Sequence, residues 1–369
     1  MLNTLGIVLA ADNNPKFGVL TEPRAVAALP VAGRYRIIDF ILSSMANSGV
    51  SNVGIITLYN YQSLLDHIGS GKAYDLARKN EGLVILPPFR DSNSQSGITK
   101  SKIDLIYGAL HFIKSSKKDY VIVADSDNIC NIDFNEALEQ HKQTEADVTV
   151  IYTNRDERFG NRTMFVDVNN KKVVDIEVAP ESTIRSRSIG YYIFNREVLV
   201  EVLEKAYAKG KKDFKIDIFV QKVNELKIYG YEFKGYIKKL IDVDAYYNFN
   251  MDLLNMDVHI ELLEGEKRVY TKIKDKTPCR YFKNAEINNS IIADGCEIDG
   301  TIENSIIFRG VKVAKGAVIK NSIVMQNSKI KENAKLDCVI CDKASIISEG
   351  KEIKGTDTLP VVVGKHQEV

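Results

Sequence analysis

The sequence predicts an α/β domain with a mostly parallel sheet, followed by a parallel β-helix of hexapeptide repeats. Two observations carry that prediction. Up to about residue 255, short apolar runs alternate with amphipathic helical stretches, and after about residue 280 a four-residue pattern returns at nearly constant spacing. The length, 369 residues, is enough for two domains with substantial cores. The organisation expected is an α/β domain over 1–255, a charged connector over 256–279 that is helical in its first part, and the β-helix over 280–369.

Leu5 to Ala11 (LGIVLAA) reads as a buried parallel strand, a continuous apolar run bounded by turn residues. Further strands are expected at Val53–Leu58, Tyr120–Ala124, Val148–Tyr152 and Tyr191–Phe194, with helices at Ile38–Ser48 and Ile103–Ile113. In such sheets ligands bind at the carboxyl ends of the strands, so the loops after Ala11 and Ala124 are the places for chemistry. In the second half, Asn289-Ser290-Ile291-Ile292 returns as Asn304-Ser305-Ile306-Ile307, then as Asn321-Ser322-Ile323-Val324, and more faintly as Asp337-Cys338-Val339-Ile340. The serine or cysteine positions are 15, 17 and 16 residues apart. Such repeats coil into a β-helix with an inward aliphatic on each face and Asn or Ser at the corners.

Lys and Arg (50) nearly cancel Asp and Glu (49), so no bulk field favours nucleic acid or an anionic membrane. No apolar run approaches the ~20 residues of a membrane span, and Met1-Leu2-Asn3-Thr4 carries no basic leader, so a cytoplasmic protein is expected. Five cysteines with a single Cys338-Val339-Ile340-Cys341 spacing read as reduced thiols in an alternating β segment rather than a metal site.

The turn after the first strand is where a phosphate cradle belongs, because bare backbone N–H groups of a glycine-rich loop can approach an anion. Here the residues are Asp12-Asn13-Asn14-Pro15-Lys16-Phe17-Gly18: Asp12 brings negative charge, Pro15 has no N–H, and the glycine comes late. The block Gly33-Arg34-Tyr35-Arg36-Ile37-Ile38-Asp39-Phe40 with Leu42 to Val50, together with His67-Ile68-Gly69-Ser70-Gly71 and Ile85-Leu86-Pro87-Pro88, resembles the bacterial glucose-1-phosphate adenylyltransferases over essentially the whole chain. In detail the chain is most similar to their divergent GlgD-type subunit. The resemblance implies a nucleotidyltransferase domain (Rossmann-like) followed by a left-handed β-helix. The family reaction, ATP plus glucose 1-phosphate to ADP-glucose and pyrophosphate, is a step of glycogen biosynthesis. It needs a G-G-x-G-x-R-L loop, a nearby lysine, two aspartates on Mg²⁺, and a glutamate–lysine pair on the sugar phosphate.

Carried onto this sequence, much of that set is missing. The loop falls on Ala11 to Phe17 without its glycines or arginine, with Lys16 the one basic residue and no planar fork to grip phosphate. The lysine of A-K-P-A becomes Val26, R-G-T-A-D-A becomes Lys100-Ser101-Lys102-Ile103-Asp104-Leu105, and E-K-P becomes Val178-Ala179-Pro180. Ser188, Gly190 and Tyr191 remain as remnants of the substrate pocket. Asp127 of Ser126-Asp127-Asn128 and Asp242 of Ile241-Asp242-Val243, the latter before a shortened G-T-L-E-A-Y-W, match the metal aspartates as a residual Mg²⁺ site, with no cofactor required by this chain. Losing an arginine and two lysines removes roughly 5–9 kcal/mol if all three act in the transition state and add, about three to six orders of magnitude in rate.

The expected function is therefore a catalytically deficient regulatory subunit that pairs with a GlgC-type catalytic chain, as a hetero-oligomer of four chains. Arg34 and Arg36 are candidates for a sugar-phosphate or nucleotide effector, and Lys100 and Lys102 are expected to be solvated. The alternative is an active sugar-phosphate nucleotidyltransferase with an altered loop. Acyl transfer, which relies on a β-helix histidine as base, is disfavoured because His67, His111, His141, His259 and His366 all lie outside 280–350.

Overall fold

The computed structural model describes residues 3–11, 14–79, 81–87 and 101–369. Asp12, Asn13 and Lys100, singled out above, lie outside the described residues. Two compact units emerge: the described residues of Met1–Asp12, Phe40–Tyr59 and Ile68–Lys239 form the first, and those of Asn13–Asp39, Asn60–His67 and Leu240–Val369 the second.

The first unit is built on a nine-stranded sheet. In chain order its strands are β1 (Thr4–Ala10), β2 (Asn52–Thr57), β3 (Leu83–Leu86), β4 (Tyr120–Asp125), β5 (Val148–Thr153), β6 (Thr163–Asn169), β7 (Lys172–Ala179), β8 (Arg187–Asn195) and β9 (Ile228–Glu232). Their spatial order is β3-β2-β1-β4-β8-β5-β9-β7-β6. The first four are parallel, as their continuous apolar runs predict. The second half is mixed, because β8 enters antiparallel between β4 and β5.

The helix read at Ile38–Ser48 forms as α1 (Ile37–Asn47). The stretch read at Ile103–Ile113 is two helices, α2 (Lys102–Gly108) and α3 (Leu110–Ser115), because Ala109 leaves helical geometry between them and its N–H closes tightly on Ile106 and Tyr107. Helices α4 (Phe134–Gln143) and α5 (Arg196–Ala208) are further cover; Leu199, Val202, Leu203 and Ala206 of α5 enter the core with Val121, Val123, Val148 and Val150 of the sheet. An aromatic cluster of Tyr192, Phe194, Phe214 and Phe219 completes that core, the Tyr192 and Phe219 rings 4.8 Å apart.

In the second unit, fifteen short strands coil into three five-stranded parallel sheets, the architecture of the left-handed hexapeptide β-helix. Ile298, Ile302, Ile307, Val313, Ile319 and Val324 fill its interior. Asn289, Asn304 and Asn321 stand at the corners with φ of 40°, 45° and 44°, a left-handed conformation that asparagine tolerates better than most residues. Behind them runs a serine column. Ser305 N–H donates to Ser290 Oγ (3.1 Å), Ser322 N–H to Ser305 Oγ (3.0 Å) and Val339 N–H to Ser322 Oγ (3.1 Å).

That column corrects the register of the fourth repeat. Ile323 pairs with Ile340 and Val324 with Cys341, so Cys338 occupies the asparagine corner (φ 53°) and Val339 the serine position. Cys341 is packed in the β-helix core.

Chain from 14–39 and 60–67 belongs to this second unit. A short hairpin pairs Pro30–Val31 with Tyr35–Arg36. The helix α6 (Val243–Asp252) fixes it through Asn250, which accepts from Ala32 N–H (3.1 Å), and Tyr246, whose hydroxyl donates to Pro30 O (2.5 Å). Arg24, 1% exposed, forms an ion pair with Asp342 at 2.9 Å.

Candidate functional site

At the carboxyl end of β4 the chain places two carboxylates, Asp125 and Asp127, one residue apart. Both are paired with lysine. Lys102, at the first turn of α2, reaches Asp125 at 2.6 Å, and Lys239 reaches Asp127 at 2.8 Å. Ser101 caps α2 and thereby aims Lys102, whose ammonium also lies 5.4 Å from the Tyr192 ring centre and 5.0 Å from that of Phe214. Lys239 sits on a two-residue strand that pairs antiparallel with Asn128 and Ile129. Burial pushes the Asp125 pKa up, but Lys102 and Lys239 outweigh it and hold the carboxyl below its usual range. A third ammonium, Lys215, is brought down to about 8 by desolvation and by Lys239.

Lys102 is thus not solvated: its side chain is 21% exposed and paired. Asp104 of the same segment is also held, by Lys212 at 2.8 Å. Gly190 (φ 79°) makes the close approach of β8 to Asp125 possible, since a Cβ there would stand 2.4 Å from Asp125 Oδ2. Ser188 Oγ accepts from Gly190 N–H at 3.2 Å, and Tyr191 is fully buried with its hydroxyl accepting from the Cys130 thiol at 3.7 Å.

Each of the two aspartates matched to a metal already meets a partner within its own unit. Asp127 faces an ammonium. Asp242 is the N-cap of α6, its Oδ1 accepting from Ala245 N–H at 2.8 Å. Among the described residues no group of three or more His, Cys, Asp or Glu side chains is arranged to hold a metal ion.

The positions matched to the phosphate clamp are closed in other ways. The described part of the first turn is a 3₁₀ helix, Pro15–Leu20, whose leading N–H groups are already used: Lys16 N–H donates to Asn14 Oδ1 (3.0 Å) and Phe17 N–H to Asn14 O (3.2 Å). Lys16 itself is exposed. Val26, where the lysine is expected, lies 2% exposed in an apolar turn with Ala27 and Ala28. Val178 and Ala179 end β7, paired with Met164 and Thr163 of β6, and Val178 packs on the core.

The second unit holds a cavity of about 190 Å³ whose lining carries six Lys and Arg side chains and a histidine, and no carboxylate. Arg34 and Arg36 are both there, joined by His67, Lys274, Lys276, Arg309 and Lys343. Arg36 is braced by Ala28 O (3.1 Å) and Ser63 Oγ (2.8 Å), and Arg309 donates to Arg34 O at 3.2 Å. Burial, then repulsion from Arg36 and Arg24, brings the Lys343 pKa down to about 7. Lys274 is lowered by burial and by Arg36 and Arg309, and His67 by burial that exceeds the help of Asp39, which it meets at 2.6 Å. Cations that raise one another's energy around a hollow make an anion site. The sequence pointed to Arg34 and Arg36 but not to Lys274, Arg309 or Lys343, which lie some 240–310 residues away in the chain; no local signal marks them.

The nucleotidyl transferase family model matches residues 5–272, and a GlmU-like, C-terminal hexapeptide model matches 277–359. Among curated relatives, the glucose-1-phosphate adenylyltransferase of Clostridium perfringens (strain SM101 / Type A) is 33% identical over 370 residues, covering 98% of this chain and 94% of that protein. That of Clostridium botulinum (strain Alaska E43 / Type E3) is 34% identical over 326 residues, covering 86% and 83%. That of Pseudothermotoga lettingae is 34% identical over 328 residues, covering 86% and 77%. With the α/β sheet and β-helix in that order, the chain belongs to the glucose-1-phosphate adenylyltransferase family of nucleotidyl transferases.

Proposed function

We propose that this chain is a catalytically deficient, regulatory subunit of a glucose-1-phosphate adenylyltransferase, working in glycogen biosynthesis beside a GlgC-type catalytic chain in a hetero-tetramer. The observation that carries the reading is Val26. A position that should present an ammonium to a phosphate is instead an apolar side chain packed in the core. The described part of the first turn agrees with it, since the N–H groups of Lys16 and Phe17 are spent on Asn14. Phosphoryl chemistry is almost entirely positioning and charge neutralisation, so a site without its clamp keeps little rate.

The cationic cavity supplies the other half of the proposal. It is the place for a sugar-phosphate or nucleotide effector, held by Arg34, Arg36 and Arg309, and the signal it carries is a change in the partner's turnover or substrate affinity. Synthesis of ADP-glucose is measured for the chain alone, for the catalytic chain alone, and for the two together with and without a sugar phosphate. Negligible turnover alone and an altered response in the mixture are expected, with Arg36→Ala blunting the response. Turnover alone at the level of the catalytic chain overturns the reading in favour of an active transferase with an altered loop.

A further inference from the structure

The carboxyl end of β4 carries two carboxylates, Asp125 and Asp127, in a part-buried setting with side-chain exposures of 17% and 16%. Two acidic groups with one residue between them in a part-buried setting call for countercharge. A divalent cation is one answer. The chain has another: Lys102 and Lys239 arrive from two different elements, one from the capped start of α2 and one from the strand beside Asn128, and each puts its ammonium on one carboxylate. We propose that Lys102 and Lys239 stand in for a divalent cation, excluding it from a carboxylate pair that binds one when they are removed.

Four features support it. The lysines are themselves only 21% and 14% exposed, so their charges are fixed parts of the site rather than mobile surface groups. Lys102 is further anchored against the Tyr192 and Phe214 rings. Lys215 adds a third ammonium that feels both aspartates and both lysines, so an incoming dication meets three like charges and two carboxylates already satisfied. Asn128, the residue after Asp127, is buried and donates to Ile189 O at 2.7 Å, while its Oδ1 accepts from no described group. The inference goes beyond the regulatory reading, because its readout is cation occupancy and not turnover.

The test is a Mn²⁺ titration of the full chain followed by electron paramagnetic resonance of free Mn²⁺. The wild-type chain is expected to bind Mn²⁺ no more tightly than its Asp127→Asn variant. The Lys102→Gln, Lys239→Gln double variant is expected to gain one site, at least tenfold tighter, which disappears when Asp127→Asn is added. A wild-type site abolished by Asp127→Asn overturns the proposal, as does a double variant that gains nothing. Where the double variant loses the native circular dichroism spectrum, Lys239→Gln alone takes its place and must show the same gain, weaker but still dependent on Asp127.

Discussion

Val26 and Lys102 show how single residues decide what a pocket can do. Each stands at a position where the family resemblance leads one to expect something else, and each is explained by its surroundings. Val26 is enclosed by apolar neighbours, so restoring the lysine charges the core instead of the pocket. Val26→Lys is expected to leave ADP-glucose synthesis negligible and to lower stability by roughly 3–5 kcal/mol, the scale of an uncompensated buried charge, read from urea denaturation. Lys102 was expected to be solvated because its segment is polar and lysine usually lies in water. Nothing in the run Ser101-Lys102-Ile103 announces that Asp125, 23 residues on, will be its partner. The paired aspartates of Asp125-Ser126-Asp127 were visible in the sequence, and two carboxylates at a strand end are a signal that a countercharge must be found.

At the scale of the element, the β-helix was the most legible part of the chain. Its period is set by the backbone: each coil must return a small or left-handed corner residue to the same place, so the pattern survives in the sequence. What escaped was the register of the last coil, because Cys338 looks like a serine substitute but sits at the asparagine corner. The serine column makes a measurable claim. Ser305→Ala removes the acceptor of Ser322 N–H and leaves that buried donor unpaired. A loss of about 1–3 kcal/mol is expected on urea unfolding, whereas Asn304→Gly, which keeps the positive φ accessible, is expected to cost less. The β4 end and α6 show the opposite case. The resemblance matches Asp242 to a metal aspartate, and in the fold Asp242 caps α6, its Oδ1 accepting from Ala245 N–H. An aspartate reads the same in the sequence whether or not it caps a helix; the backbone N–H of Ala245 that Asp242 meets is visible only in the fold.

For the whole molecule, a net charge of +1 conceals strong local fields. The cavity in the second unit gathers its cations from three stretches of chain, around residue 35, residue 67 and the 274–343 region. Lys343 near pKa 7 makes that cavity sensitive to pH. Its pKa is lowered in the folded chain, so its charge costs stability below about 7, and the cost fades as pH rises toward the usual lysine range. The groups facing it are Arg24, Arg36 and Lys274, which repel it, and Asp342, which does not fully compensate. An anion favours the charged form, so binding above pH 7 must take up a proton and weakens by at most tenfold per pH unit. The rise in melting temperature produced by inorganic pyrophosphate is accordingly expected to be larger at pH 6 than at pH 8, and to shrink in Lys343→Met.

By itself the sequence determined the two architectures, their order and the family, because each is written in local periodicity or in contiguous motifs. Only the tertiary structure decided which charges stand together. Lys102 with Asp125, Lys239 with Asp127, and the six cations of the cavity are pairings and gatherings across tens to hundreds of residues. Charge acts over ångströms of space and not over positions in the chain, so its consequences appear only once the fold has brought those side chains together.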